Sequence, residues 1–124
     1  VPNELILIVE DNPKNLKLVR DALQVKGYQT IEAETGEEGV RLAHERHPAL
    51  ILMDIQLPGI NGIEALQELR ADPVTRPTPV IDITASVMPQ DQKRIRAAGF
   101  DGFQGKPISV KQLLATVREI LDKP

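Results

Sequence analysis

Hydrophobic residues in this chain fall into two patterns: short unbroken runs, and longer stretches in which they recur every three or four positions. The first is the mark of strands buried on both faces, the second of amphipathic helices. Leu5–Val9 is such a run and ends in Glu10 and Asp11, which predicts a strand meeting solvent at its carboxyl end. Asn12 and Pro13 then supply an N-cap and a first-turn proline. Leu16, Val19 and Leu23 follow at helical spacing with Leu18, Ala22 and Val25 alongside, and Gly27 offers a stop. Residues 28–32 read as a short second strand. Thr35 with Glu38 forms a capping box that opens a second helix through Val40 and Ala43, stopped by Pro48.

Residues 49–53 repeat the first pattern and deliver the chain into Asp54. A breaker-rich loop spans 57–62, and Asn61 with Glu64 caps a third helix carrying Ile63, Leu66 and Leu69. Pro77 and Pro79 bracket the entry to a fourth strand, 80–83, which runs into Thr84; a fourth helix with Ile95 and Ala98 ends at Gly99. Residues 100–104 form a fifth strand leading to Lys106 and Pro107. Ser109 with Gln112 caps a fifth helix bearing Val110, Leu113, Leu114, Val117, Ile120 and Leu121. Strict strand–helix alternation predicts an α/β fold with parallel strands and helices on both faces, and right-handed crossovers leave an open doubly wound sheet. A closed eight-fold barrel needs about twice this length. With no repeat, low-complexity segment or linker, residues 1–124 are expected to form one domain.

Composition narrows this picture. The apolar share is 41% but aromatics reach only 2%, so the core must be built from Leu, Ile, Val and Ala. The absence of cysteine excludes disulfides and thiolate metal sites, and no apolar run approaches the ~18 residues of a membrane span. Fifteen basic residues against eighteen acidic, a net charge of -3, leave no basic stripe for nucleic acid. Neither direct nucleic-acid binding nor membrane insertion is expected. The N-terminus lacks the pattern of a secretory signal, so the expected setting is cytoplasmic.

In an open α/β sheet, ligands bind in the crevice beyond the carboxyl ends of the strands. Those ends carry Glu10 and Asp11, then Asp54, Thr84 and Lys106. Three carboxylates packed together repel one another unless a cation neutralises them, and hard oxygen ligands suit Mg²⁺. A carboxylate held there can attack a phosphoryl group and form an acyl phosphate, while a hydroxyl and an ammonium stabilise the phosphoryl oxygens. Asp54 is the candidate nucleophile. Each residue alone reads as a solvated loop group, a packing residue or a surface charge; their arrival at successive strand ends argues for a site.

Glu10-Asp11, Asp54, Thr84 and Lys106-Pro107, in this order and spacing, resemble the functional pattern of response-regulator receiver domains of the CheY-like superfamily, over almost the entire chain. Residues 8–12, 52–58 and 106–108 are similar to stand-alone receivers of the cell-cycle type. The resemblance implies a flavodoxin-like (βα)5 sheet with strand order 2-1-3-4-5 and a role in two-component signalling. Asp54 would accept a phosphoryl group from a histidine kinase or a histidine phosphotransfer protein. Mg²⁺, replaceable by Mn²⁺, would be held by Asp11, the Asp54 side chain and the Gln56 carbonyl, with Glu10 acting through water. Thr84 and Lys106 would engage the phosphoryl group, Lys106 and Pro107 would be joined by a cis peptide, and Phe103 would be the switch aromatic. Phosphorylation would draw Thr84 in, turn Phe103 inward and remodel the surface of the fourth helix, fifth strand and fifth helix, where a downstream protein binds. Such a domain assists its own phosphorylation and dephosphorylation and is not otherwise an enzyme.

Asp82 departs from that pattern, since receivers place a small or apolar side chain there. A buried carboxylate must find a partner, reach solvent or weaken the fold, and Asp82 shares strand parity with Thr84. A haloacid-dehalogenase-type phosphatase would need a second Asp two residues after the nucleophile, where this chain has Gln56, and a flavin or nucleotide module would need a phosphate-cradling glycine loop. A purely structural interaction domain would never use the phosphoacceptor, and metal-dependent labelling separates it from a receiver. His44 and His47 are spaced as a helical metal pair, but no third ligand accompanies them.

Overall fold

Every apolar run becomes a strand. In the computed structural model, which describes residues 3–122 except 56, 58, 85–92, 94, 96, 106 and 107, and not the side chain of Thr84, five strands form one sheet. These are β1 (Leu5–Val9), β2 (Gln29–Ala33), β3 (Leu50–Asp54), β4 (Val80–Thr84) and β5 (Gly102–Gly105). All neighbours pair parallel, and the spatial order is β2-β1-β3-β4-β5, as expected. The connecting helices are α1 (Pro13–Val25), α2 (Gly36–Arg46) and α3 (Gly62–Ala71); α4, of which residues 93, 95, 97 and 98 are described and helical; and α5 (Val110–Leu121).

Alternation along the strands splits the core into two layers. Ile6, Ile8, Leu50, Leu52, Ile81 and Ile83 pack against α1 and α5, while Leu7, Val9, Ile51, Met53 and Val80 pack against α2 and α3. Burial of each such side chain is worth about 1.5–3 kcal/mol. Close approach also requires a missing side chain: a Cβ at Gly39 of α2 would fall 2.7 Å from Val9 Cγ2.

The boundaries differ from expectation in physically telling ways. β2 starts at Gln29 because Tyr28 belongs to the end of α1. The Tyr28 N–H donates to the Leu23 carbonyl and the Gly27 N–H to that of Gln24, with Gly27 at φ 95, the paired bonds of a Schellman motif. The Pro48 stop of α2 acts one residue early. Proline disfavours helical backbone before it, and His47 takes the left-handed conformation (φ 50) with its N–H on the Ala43 carbonyl. β5 begins at Gly102, since Asp101 is engaged in clasping β4. On α1, Leu18 and Val25 are exposed. The helix starts follow the expected caps: Asn12, Thr35, Asn61 and Ser109 each accept a backbone N–H, and Asn61 with Glu64 makes the full reciprocal box.

Candidate functional site

The carboxyl edge of the sheet assembles the acids through register. Val9 pairs with Met53 across β1 and β3, so the next residue on each chain, Glu10 and Asp54, stand side by side. Asp11 begins the turn into α1. One carboxylate oxygen from each of Glu10, Asp11 and Asp54 lies within 4.8 Å of the others. Glu10 and Asp54 are 3% and 4% exposed, while Asp11 is open to solvent. A partly buried nest of three carboxylates made only of hard oxygen donors suits a divalent cation of the magnesium type.

Backbone contacts hold the two buried acids. The Glu10 N–H donates to the Ala33 carbonyl at 3.0 Å, extending the β1–β2 ladder, and its Oε2 accepts the Asn12 N–H at 3.3 Å. Asn12 Oδ1 meanwhile accepts from the amides of Lys14 and Asn15. One residue thus fixes both the start of α1 and the orientation of Glu10, and the positive end of the helix lies beside the acids. Behind Asp54, the first turn of α3 presses on the chain. The Gly62 N–H donates to the Ile55 carbonyl at 2.9 Å, and a Cβ on Gly62 would sit 2.5 Å from the Asp54 carbonyl oxygen. The loop between them is tied to α2, where Glu37 accepts the Ile60 N–H beside Gly59, itself at φ 76.

Thr84 ends β4 and is paired with Gly105, the rung after Asp54–Ile83 and Ile83–Gln104, so its backbone lies at the same edge. Gln56, Lys106, Pro107 and the Thr84 side chain lie outside the described residues. Phe103 is half-buried on β5, level with Asp82. Asp82 is fully buried, on the sheet face that carries Met53 and Val80. The two histidines are no metal pair: His44 Nδ1 meets Asp72 Oδ2 at 2.5 Å, and His47 is the left-handed cap.

Two contributors escape a sequence reading. Asn12 is visible there only as a helix cap, and Gly62 only as a loop breaker; their grip on Glu10 and Asp54 depends on how β1, β3 and α3 are brought together.

Residues 6–118 match the family described as the response regulator receiver domain. The polar-differentiation response regulator DivK of Brucella ovis is 46% identical over 116 residues, which cover 94% of each chain. The receiver domain of the sensor histidine kinase PA1611 from Pseudomonas aeruginosa PAO1, solved with a magnesium ion coordinated in its active site cleft, is similar at TM-score 0.91 and 30% identity, over 98% of this chain and 100% of that one. A signal receiver domain of a histidine kinase from Syntrophus aciditrophicus is similar at TM-score 0.88 and 34% identity, over 95% and 89% of the two chains.

Proposed function

The chain belongs to the response regulator receiver domain family, and from that premise we propose that Asp54 is its phosphoacceptor, with Glu10 and Asp11 completing a Mg²⁺ site. The observation that carries this reading is the convergence of the three carboxylates, two of them buried, at the edge where β1 and β3 end. The chemistry that Mg²⁺ (or Mn²⁺) would supply when held there is to offset the repulsion of the three carboxylates and to screen an incoming phosphoryl group. Asp11 and Asp54 would hold the metal together with the Gln56 carbonyl, and Glu10, whose Oε2 accepts the Asn12 N–H, would act through water.

A carboxylate oxygen of Asp54 attacks phosphorus as the bond to the donor's imidazole nitrogen breaks and its electron pair stays on the ring. Thr84 and Lys106 then engage the phosphoryl oxygens. Capture of Thr84 shifts the population towards an inward Phe103 and a remodelled α4-β5-α5 face. The donor is a histidine kinase or a histidine phosphotransfer protein in the cytoplasm, and a downstream protein reads that face. The domain assists its own phosphorylation and dephosphorylation.

Incubation with acetyl phosphate or phosphoramidate, with and without Mg²⁺, followed by intact mass measurement, tests this. One added phosphoryl group, dependent on Mg²⁺ and absent from Asp54→Asn, is the expected result. Labelling that persists in Asp54→Asn would place the acceptor elsewhere, and no labelling of folded protein would make this a receiver that works by binding alone.

A further inference from the structure

The first turn of α2 grips the loop that follows Asp54. Both carboxylate oxygens of Glu37 lie against Gly59, where a Cβ would fall 2.5 Å from Oε2 and 2.7 Å from Oε1. Gly59 takes the left-handed conformation at φ 76, and directly after it the Ile60 N–H donates to Glu37 Oε1 at 3.4 Å. Gly36 completes the contact, since a Cβ on it would fall 2.7 Å from Ile60 Cγ1 and 2.9 Å from the Ile60 carbonyl oxygen. Ile60 and Leu57 are themselves packed on the core layer that contains Val9 and Met53.

The same junction holds one of the buried acids. The Ala33 carbonyl accepts the Glu10 N–H at 3.0 Å, and shortly after it Thr35 caps α2 by accepting the Glu38 N–H at 3.1 Å. Residues 33–37 therefore touch both the strand end at Glu10 and the loop after Asp54. A first-turn acid ordinarily complements the positive end of its own helix and faces water. Glu37, although exposed, gives an oxygen to an amide of another element. The loop also closes on itself, with the Leu57 and Gly62 amides both on the Ile55 carbonyl, and Glu37 ties that closed loop to α2.

We propose that Glu37 is a positioning residue, which holds the 55–62 loop against α2 so that the loop is ordered before a metal is taken up at the acidic cluster. This role rests on the assignment of Asp54 and the Gln56 carbonyl above. Without the bond to Ile60, the loop must be ordered as the metal binds, which lowers affinity in the way that any loss of preorganisation does. Once the metal is saturating, the loop is in place and the Asp54 carboxylate meets its donor as before. The role belongs to the hydrogen bond rather than to the charge, because an amide oxygen at the same place can accept the same N–H.

Glu37→Ala and Glu37→Gln are compared with the parent and with Glu45→Ala, which removes an acid from the same helix that is bonded to Arg41. In the metal-free chain, amide hydrogen exchange at Ile60 and Gly62 is expected to rise at least ~5-fold in Glu37→Ala and to stay at the parent rate in Glu45→Ala. The Mg²⁺ concentration for half-maximal labelling by acetyl phosphate should rise at least ~5-fold in Glu37→Ala, with less than a ~2-fold change in the rate at saturating Mg²⁺. Glu37→Gln should restore both readouts. Unchanged exchange and Mg²⁺ requirement in Glu37→Ala would overturn the proposal, as would a saturated rate that falls while the requirement stays. So would a Glu37→Gln as impaired as Glu37→Ala, which would make charge the cause, or an equal loss in Glu45→Ala. In each of these cases the parent still labels and the assignment of Asp54 stands, whereas a parent that does not label overturns that assignment and this role with it.

Discussion

Asp82 stands directly across from Phe103 in the β4–β5 ladder, and its side chain is wholly excluded from solvent. Met53, which precedes Asp54, flanks it on the other side. A carboxylate on this rung stands between the strand that carries Asp54 and the residue proposed as the switch aromatic. Asp82→Ala opens space beside Phe103 and is expected to bias the ring inward before phosphorylation, with a coupling of about 0.5–2 kcal/mol. Ring resonances of Phe103, followed with and without beryllofluoride, check this. If the shifts and the labelling rate both match the parent, Asp82 is uncoupled from the switch.

A second tie closes the opposite, amino edge of the sheet. Asp101 Oδ2 accepts the Val80 N–H at 2.8 Å and an Arg70 N–H at 2.9 Å, while the Asp101 N–H donates to the Val80 carbonyl. Arg70 also reaches the carbonyls of Arg76 and Thr78. Asp101→Ala strands a buried amide, so a loss of about 1–3 kcal/mol is expected in urea unfolding. Arg70→Lys should lose part of it, because an ammonium cannot reproduce the fork. Neither change should alter Mg²⁺-dependent labelling.

That clasp shows where sequence reading stops. The runs of Leu5–Val9 and Leu50–Met53 declare strands because a parallel sheet covered on both faces needs unbroken apolar stretches, and the acids after them declare the site. Parallel strands, helices on both faces and the gathering of Glu10, Asp11 and Asp54 were legible for that reason, whereas the order of the strands followed only from the family resemblance. Asp101 looked like the second residue of a strand, since its partner Arg70 is 31 positions away and only the fold brings them together. Leu18 and Val25 sit within the helical stripe of α1 yet miss the core, because the spacing of apolar residues defines a broad face and only packing against β1 and α5 decides which part is covered.

The charge on Asp72 contributes to acid stability. The Val74 N–H and then the His44 side chain hold its carboxyl below the ordinary value of 3.8. A depressed folded pKa adds stability that is present above 3.8 and lost as the pH falls through the lower folded value. Asp72→Asn keeps an acceptor for the Val74 amide and loses the charge. Its urea midpoint should lie below the parent's near neutral pH and merge with it in strong acid. A constant gap across that range would mean that packing, not ionisation, is responsible.

Removal of metal should be visible in stability as well as in labelling. A ligand that binds only the folded chain raises its stability with concentration, so millimolar Mg²⁺ is expected to raise Tm and EDTA to reverse the rise. Asp11→Asn removes the exposed third carboxylate, and a loss of at least ~10-fold in Mg²⁺ affinity is expected, with little change in the metal-free Tm. An undiminished Mg²⁺ response in Asp11→Asn would exclude that side chain from the site.

Gly62 offers the sharpest test of how Asp54 is positioned. A Cβ there would lie 2.5 Å from the Asp54 carbonyl oxygen and 2.7 Å from Ile55 Cα, both backbone atoms that cannot swing aside as a side chain would. Gly62→Ala must therefore push the first turn of α3 away or tilt the end of β3, and either shift moves the Asp54 carboxylate relative to Glu10 and Asp11. Overpacking of this kind costs about 1–3 kcal/mol. A misplacement near 1 Å at the reacting group is expected to slow labelling by about 100-fold. Gly99→Ala is the control, since its φ of 102 imposes backbone strain but its Cβ meets nothing within 4 Å among the described residues. That variant should lose about 1–2 kcal/mol of stability and label at the parent rate. Slow labelling in Gly62→Ala alone would tie the rate to the contact with Asp54, whereas equal slowing in both would make it a consequence of general destabilisation.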